Sequence, residues 1–329
     1  MDTKVKASVN DKSLAASQKA KNMSSKRIET VTLIYVPLHL GGRHRGSSIG
    51  PAAMRVAELS ESIRDFGVTI ADEVEIDVPH SICWWDRNTA AKCVPEINDV
   101  SLAVSQAVEE ALAKGSVPIT IGGDHSLSIG SIAGASNHFR KQGEKLGLVW
   151  FDAHGDINTP DTSSSGNVHG MPLAISLGYG DKRLVDLHGY SPKIEADKAY
   201  LIGIRDLDPP ERDMIIASGI QPYTMHDIDR VGFGKVMTDT IDRLQKQSPG
   251  IHLSFDIDAL DPDLAPGVST PARGGISYRE ITMAFSMLAE AGLVRSIDVV
   301  ELNPAFDIQN RTAELAVELV LTMLGKKIL

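Results

Sequence analysis

From residue 30 onward, short β-branched and apolar runs alternate with longer stretches whose apolar positions recur every three to four residues. The short runs lie at 31–38, 68–76, 117–122, 146–152, 199–204, 251–258 and 296–301 and read as strands. Ile97, Val100, Val104, Val108, Ala111 and Leu112 keep the helical period and are closed by Gly115, which predicts an amphipathic helix with a glycine stop. Weaker helical patterns cover 51–65, 209–218, 233–247, 277–290 and 311–324. Strands alternating with helices predict a three-layer α/β/α fold with a mostly parallel central sheet. No repeat, linker or composition shift follows residue 30, so 30–329 reads as a single domain. Residues 1–29 mix Lys4, Lys6, Lys12, Lys19, Lys21, Lys26 and Arg27 with Ser, Ala and Asn and read as a disordered tail. That stretch lacks the apolar block of a signal segment, and it keeps Asp2 and Asp11 and prefers Lys to Arg, unlike an organelle transit peptide.

With 329 residues, 42% hydrophobic, the chain can bury a large core. The net charge of −10 opposes binding to polyphosphate, which argues against nucleic acid and suits a small or cationic ligand. The apolar runs fall well short of the roughly 20 residues needed to cross a bilayer, so no membrane partner is expected. Cys83 and Cys93, the only cysteines, are too few for a disulfide scaffold or a four-thiolate zinc site, which fits a cytoplasmic protein.

The chemistry lies in three clusters, each at the carboxyl end of a predicted strand: Gly122-Gly123-Asp124-His125, Asp152-Ala153-His154-Gly155-Asp156, and Asp256-Ile257-Asp258. Ligands of open parallel sheets bind outside those carboxyl ends, so distant segments can converge there. Strand alternation would place Asp152, His154 and Asp156 on one side of the backbone, and Asp256 with Asp258 likewise. Taken singly, Asp-x-Asp and Gly-Gly-Asp-His are ordinary turn text. Together they gather carboxylates and imidazoles that would be costly to bury ionised without cations. Oxygen-rich ligation with a histidine minority suits manganese better than zinc, and bridging carboxylates suit two ions roughly 3.5 Å apart.

The same segments resemble the ureohydrolases, the group that includes arginase, agmatinase and formiminoglutamase. The matching text is IGGDHSLSIGS, WFDAHGDINTP, SGNVHG, IGIRDLDPPE, SFDIDALDPDLAPGVSTP and DVVELNP, spread over residues 30–329. The resemblance implies two Mn²⁺ ions per chain. His125, Asp152, Asp156 and Asp256 would hold one, and His154, Asp152, Asp256 and Asp258 the other, with Asp152 and Asp256 bridging. A metal-activated hydroxide would cleave L-arginine to L-ornithine and urea. Glu301 would hold the guanidinium, Asp156 would pass a proton to the leaving amine, and His169 would shuttle protons to solvent.

Within the group, Asp156-Ile157-Asn158-Thr159-Pro160 followed by Ser165-Gly166-Asn167-Val168-His169-Gly170 is similar to arginase rather than agmatinase. On that resemblance Asn158, Ser165 and Asn167 would bind the α-carboxylate, Asp208 with Glu211 the α-ammonium, and Thr270 would touch the guanidino group. The blander readings are a Ser/Asn/Gly turn, an acidic opening to the helix at Pro209, an ordinary loop histidine, and a strand-end acid facing solvent for Glu301. His39, His44, His80, His138, His188, His226 and His252 have no motif partner and read as structural or exposed. Trp84-Trp85 reads as a buried aromatic plug, with a pocket rim or subunit contact as alternatives. Ser269 and Gly155 depart from the usual arginase text and bear on pocket shape. The alternatives are therefore another guanidino or amidine substrate, such as agmatine or guanidinobutyrate, or a metal-free, non-catalytic homologue. The resemblance also implies a homo-oligomer, a trimer or hexamer.

Overall fold

The structure, a computed structural model, describes residues 27–79 and 89–327. The strands are β1 (Thr30–Val36), β2 (Thr69–Glu75), β3 (Val117–Gly122), β4 (Gly147–Phe151), β5 (Ala199–Ile204), β6 (Gln221–Thr224), β7 (Ile251–Asp256) and β8 (Val294–Val300). They form one eight-stranded sheet in the order β2-β1-β3-β8-β7-β4-β5-β6, and every pairing is parallel. A parallel sheet must be covered on both faces, so its central strands are buried and mainly apolar, with polar exceptions such as Thr120, His252, Ser254 and Asp298. Residues 31–36 of β1, and all of β4, β5 and β7, are accordingly buried.

The principal helices are α1 (Gly50–Val56), α2 (Leu59–Asp65), α3 (Val94–Ala113), α4 (Ser128–Lys141), α5 (Pro209–Ser218), α6 (Met225–Val231), α7 (Phe233–Gln247), α8 (Tyr278–Ala291) and α9 (Arg311–Met323). Alternate strand residues face two separate cores. Val149 and Phe151 join Met54, Ile63, Met237, Phe285 and Leu319 from α1, α2, α7, α8 and α9. Leu148 and Trp150 join Val100, Val104, Ile132 and Ile215 from α3, α4 and α5 on the other face. This is the three-layer α/β/α arrangement expected from the sequence. Each fully buried Leu, Ile or Phe contributes about 1.5–3 kcal/mol of transfer free energy.

Four of these elements differ from expectation, and one is α6, a seven-residue helix opened by a Thr224–Asp227 capping box that no expected helical pattern covers. Helix α4 was not foreseen because SIGSIAGASN is Ser-, Gly- and Ala-rich and buried all round, and a helix without a polar face shows no amphipathic period. Strand β6 (QPYT) is a short edge strand carrying Pro222, and proline is tolerated at a sheet edge. The helical pattern over 51–65 breaks into α1 and α2 at Glu58, which is left-handed with φ 59°.

The tail segment 1–26 and Cys83, Trp84 and Trp85 lie outside the described residues. Arg27, at the end of the expected tail, donates to the Phe66 carbonyl at 3.1 Å and lies over the Phe66 ring at 4.6 Å. Cys93 is disulfide-bonded, so the scarcity of cysteine excludes a scaffold of bridges but not a single one. Among the described residues, no helix is long and apolar enough to cross a membrane.

Candidate metal centre and adjoining pocket

Four neighbouring strands at the middle of the sheet, β3, β8, β7 and β4, carry His125, Glu301, Asp256 and Asp152 at or just beyond their carboxyl ends. Each acidic motif ends its strand by the same local device. Asp124 Oδ1 accepts from the Ser126 amide at 3.0 Å, Asp152 Oδ1 from the His154 amide at 2.7 Å, and Asp256 Oδ1 from the Asp258 amide at 2.8 Å. An aspartate that accepts the amide two residues on makes a turn. The expected strand alternation of Asp152, His154 and Asp156, and of Asp256 and Asp258, is therefore corrected. The strands stop at Phe151 and Asp256, and Asp156 has a left-handed backbone with φ 48°. The turn reading and the metal reading hold together, because a carboxylate has a second oxygen.

Those second oxygens converge. Asp152 Oδ2 lies 3.2 Å, Asp256 Oδ2 3.1 Å and Asp156 Oδ2 3.0 Å from His125 Nδ1. His125 is fully buried, stacks on Trp150 with centroids 4.1 Å apart, and has Nε2 2.9 Å from Ser254 Oγ. Its Nδ1 faces all three carboxylate oxygens at ion-pair distance and makes a well-directed hydrogen bond with none of them. Donors that surround a common point without bonding one another are arranged as ligands. A second group sits beside the first: His154 Nδ1 is 3.1 Å from Asp258 Oδ2 and 3.5 Å from Asp152 Oδ1. His125, Asp152 and Asp256 form one ligand-competent set, with donor atoms within 4.8 Å of one another, and Asp152, His154 and Asp258 form another. Asp152 belongs to both sets, Asp256 to the first.

The electrostatics agree with that reading. Burial and the charge of Asp152 push Asp156 up to about 6. Burial and the charges of Asp258 and Asp152 push Asp256 well above the carboxylate range. Burial opposes the charged form of His154, but Asp258 and Asp152 outweigh it and raise the imidazole. Buried negative charge in excess of its partners is what divalent cations relieve. An oxygen-rich set with two imidazoles is their donor chemistry, so the residues present fit a pair of ions.

A cavity of about 150 Å³ opens above this centre, lined by His154, Asp156, Asn158, Ser165, Asn167, His169, Asp208, Glu211, Asp256, Asp258, Thr270 and Glu301. All eight residues assigned from the sequence to substrate or proton handling outside the ligand set line this one space. Glu301 is not a solvent-facing acid: it is buried, left-handed with φ 64°, and its Oε1 accepts from the His125 amide at 2.8 Å. The same oxygen lies 3.0 Å from His169 Nδ1. Burial works against a charged His169, yet Glu301 outweighs it and lifts the imidazole to about 9. Asn158 Oδ1 accepts from Thr162 Oγ1 at 2.9 Å, and Ser165 Oγ accepts from the Asn167 amide at 3.2 Å.

Asp208 and Glu211 do open α5 as a capping box, and the Asp208 amide donates to Glu211 Oε2 at 3.1 Å. Glu211 also reaches the Ile157 amide at 3.4 Å, and burial with the charge of Asp156 raises it to about 7. A Cβ at Gly155 would stand 2.9 Å from Glu211 Oε1, so the Glu211 carboxylate packs directly against the Gly155 backbone. Thr270 Oγ1 donates to Asp258 Oδ2 at 3.1 Å, and Ser269 Oγ accepts from Asn303 Nδ2 at 2.9 Å.

Several supporting residues were missed. Trp150 Nε1 donates to Asp152 Oδ2 at 2.9 Å, and Ser254 meets His125. Each stands two residues before a ligand aspartate, so strand period would have placed both on the ligand side. Below them His252 Nε2 lies 2.9 Å from Asp298 Oδ2, both fully buried, and Ser128 and Ser131 donate to that same oxygen at 2.8 and 2.6 Å. Lys92, which donates to Asn167, has no sequence signal because 75 residues separate them.

Comparison with known proteins matches the Arginase family model to residues 29–325. The arginase of Bacillus subtilis (strain 168) is 45% identical over 304 residues, covering 92% of this chain and 99% of its own length. That of Bacillus caldovelox is 42% identical over 306 residues, covering 92% and 100%. The solved B. caldovelox arginase superposes with a TM-score of 0.87 at 41% identity over 92% of this chain and 100% of that one.

Proposed function

Since the chain belongs to the arginase family, we propose that it hydrolyses L-arginine to L-ornithine and urea at a centre holding two manganese ions. The observation that carries this reading is the convergence of Asp152, Asp156 and Asp256 oxygens on His125 Nδ1, beside a pocket lined by polar and acidic side chains. His125, Asp152, Asp156 and Asp256 would hold one ion, and His154, Asp258, Asp152 and Asp256 the other. When bound, such a pair supplies an activated water at neutral pH and stabilises developing negative charge.

The remaining work falls to the chain's own side chains. Glu301 Oε1 is committed to the His125 amide and to His169, which leaves Oε2 to accept from the substrate guanidinium. That contact holds the guanidinium carbon over the centre. Asp156 passes a proton to the leaving amine. His169, with Nδ1 held by Glu301, has Nε2 for exchange with solvent. At the far end, Asn158, Ser165 and Asn167 donate to the α-carboxylate while Asp208 and Glu211 accept from the α-ammonium. Agmatine lacks the carboxylate and would leave those donors unpaired, which is how a few contacts give large discrimination.

The test is urea release from L-arginine, agmatine and guanidinobutyrate with manganese supplied, in parent and Asp208→Ala protein. L-Arginine should be preferred, and the substitution should narrow its advantage by about 1.5–3 kcal/mol per charged hydrogen bond lost. Faster use of agmatine or guanidinobutyrate would remove the arginine assignment and leave metal-assisted hydrolysis standing. Full activity after exhaustive chelation would remove both.

A further inference from the structure

We infer that Lys92 is a positioning residue for substrate selection, holding Asn167 so that its amide N–H groups face the α-carboxylate of the substrate. This rests on the arginine reading above. Lys92 is half-buried in the turn two residues before α3, and its Nζ donates to Asn167 Oδ1 at 3.0 Å. An ammonium has only donors, so it can bond the oxygen of an amide and never the nitrogen. The bond therefore fixes which end of the Asn167 side chain is left for the pocket it lines, and that end is Nδ2, a donor. Asn167 also occupies the N-cap of the short turn carrying His169, a place where asparagine ordinarily spends its oxygen on its own helix. No such capping bond forms here, because Lys92 holds the oxygen instead.

The backbone repeats the arrangement. The Lys92 amide donates to the Gly166 carbonyl at 2.9 Å, and Gly166 has φ +69°. A Cβ at Gly166 would stand 2.4 Å from the Thr89 carbonyl oxygen, so the 89–92 segment and the substrate loop are in direct backbone contact. On the other side, Ser165 Oγ accepts from the Asn167 amide, which leaves the Ser165 hydroxyl proton for a ligand oxygen. Lys92 thus turns one polar side chain into a donor and brings positive charge to the one end of an otherwise acidic pocket where a carboxylate must sit.

The discriminating measurement uses the products, so it does not depend on turnover. Binding of L-ornithine and of putrescine, which lacks the carboxylate, is measured by calorimetry on the manganese-loaded parent, Lys92→Met, Lys92→Arg, Asn167→Ala and the Lys92→Met/Asn167→Ala double variant. Lys92→Met should weaken L-ornithine about ten-fold, or about 1.4 kcal/mol, and leave putrescine within two-fold. It should raise KM for L-arginine while kcat changes little, and Lys92→Arg should recover most of the loss. In the Asn167→Ala background, Lys92→Met should have no further effect, since the two act as one unit. Unchanged L-ornithine binding in Lys92→Met, an equal loss for L-ornithine and putrescine, or additive losses in the double variant would each overturn the inference. A parent that binds putrescine as tightly as L-ornithine would instead overturn the substrate reading on which it stands.

Discussion

The Ser254→Ala substitution isolates the support of the first ion site. Ser254 Oγ is 2.9 Å from His125 Nε2 at a position where both residues are fully buried. An ion held by Nδ1 would require the imidazole proton on Nε2, where Ser254 Oγ can accept it. Alanine fits the space left by serine, so the change removes a partner without introducing a clash. It strands a buried N–H, which costs about 1–3 kcal/mol. Loss of such an outer partner typically weakens metal binding 10–100-fold, or about 1.4–2.7 kcal/mol. The two ranges overlap, so a reduction of roughly 10–100-fold in affinity is expected at one site. Among the described residues no hydrogen bond joins Ser254 to His154, which lies with Asp258 and Asp152, so the other ion should bind as in the parent. Titration of chelator-treated protein with manganese, followed by calorimetry and elemental analysis, resolves the two events. Two unchanged affinities, or equal weakening of both, would refute the assignment of Ser254 to the His125 site.

Other expectations follow from the same geometry. His169→Ala should lower kcat by roughly 10²–10⁴-fold, the usual loss for an acid–base group, while elemental analysis still finds two ions; loss of metal would make His169 a ligand or its support. His252→Ala should destabilise the fold by about 1–3 kcal/mol, because it removes one of the three donors to the buried Asp298 carboxylate. Thermal unfolding of that variant should show a lower Tm, and a parent-like Tm would show that Ser128 and Ser131 suffice for Asp298. In metal-stripped protein, His169 is raised to about 9 against about 6.5 unfolded. Its pairing with Glu301 therefore adds stability that is complete below pH about 6.5 and disappears as pH rises through about 9. Denaturant titrations across that window should show the loss in the parent and a flatter profile in His169→Ala.

Composition and period determined much of this molecule by themselves. The seven expected strands all exist: those inside the sheet are buried and mainly apolar, and the exposed edge strand β2 keeps the β-branched residues Thr69, Ile70 and Val74. The Asp and His clusters were legible because such groups at strand ends are costly to bury unless paired or coordinated. The outer partners of the ligands were legible in principle, two residues upstream of Asp152 and Asp256. Where sequence periodicity failed, it failed for physical reasons: α4 is buried all round and has no polar stripe, and β6 is an edge strand of four residues. The tertiary structure alone decided three matters. Asx turns, not strand alternation, aim the carboxylates, since a local side-chain bond to the amide two residues on competes with extension of the ladder. The order β3-β8-β7-β4 brings His125, Glu301, Asp256 and Asp152 together, which no local pattern specifies. Lys92 meets Asn167, and His252 meets Asp298, only because packing closes the long intervening loops. Such pairings across 75 and 46 residues leave no period in the chain.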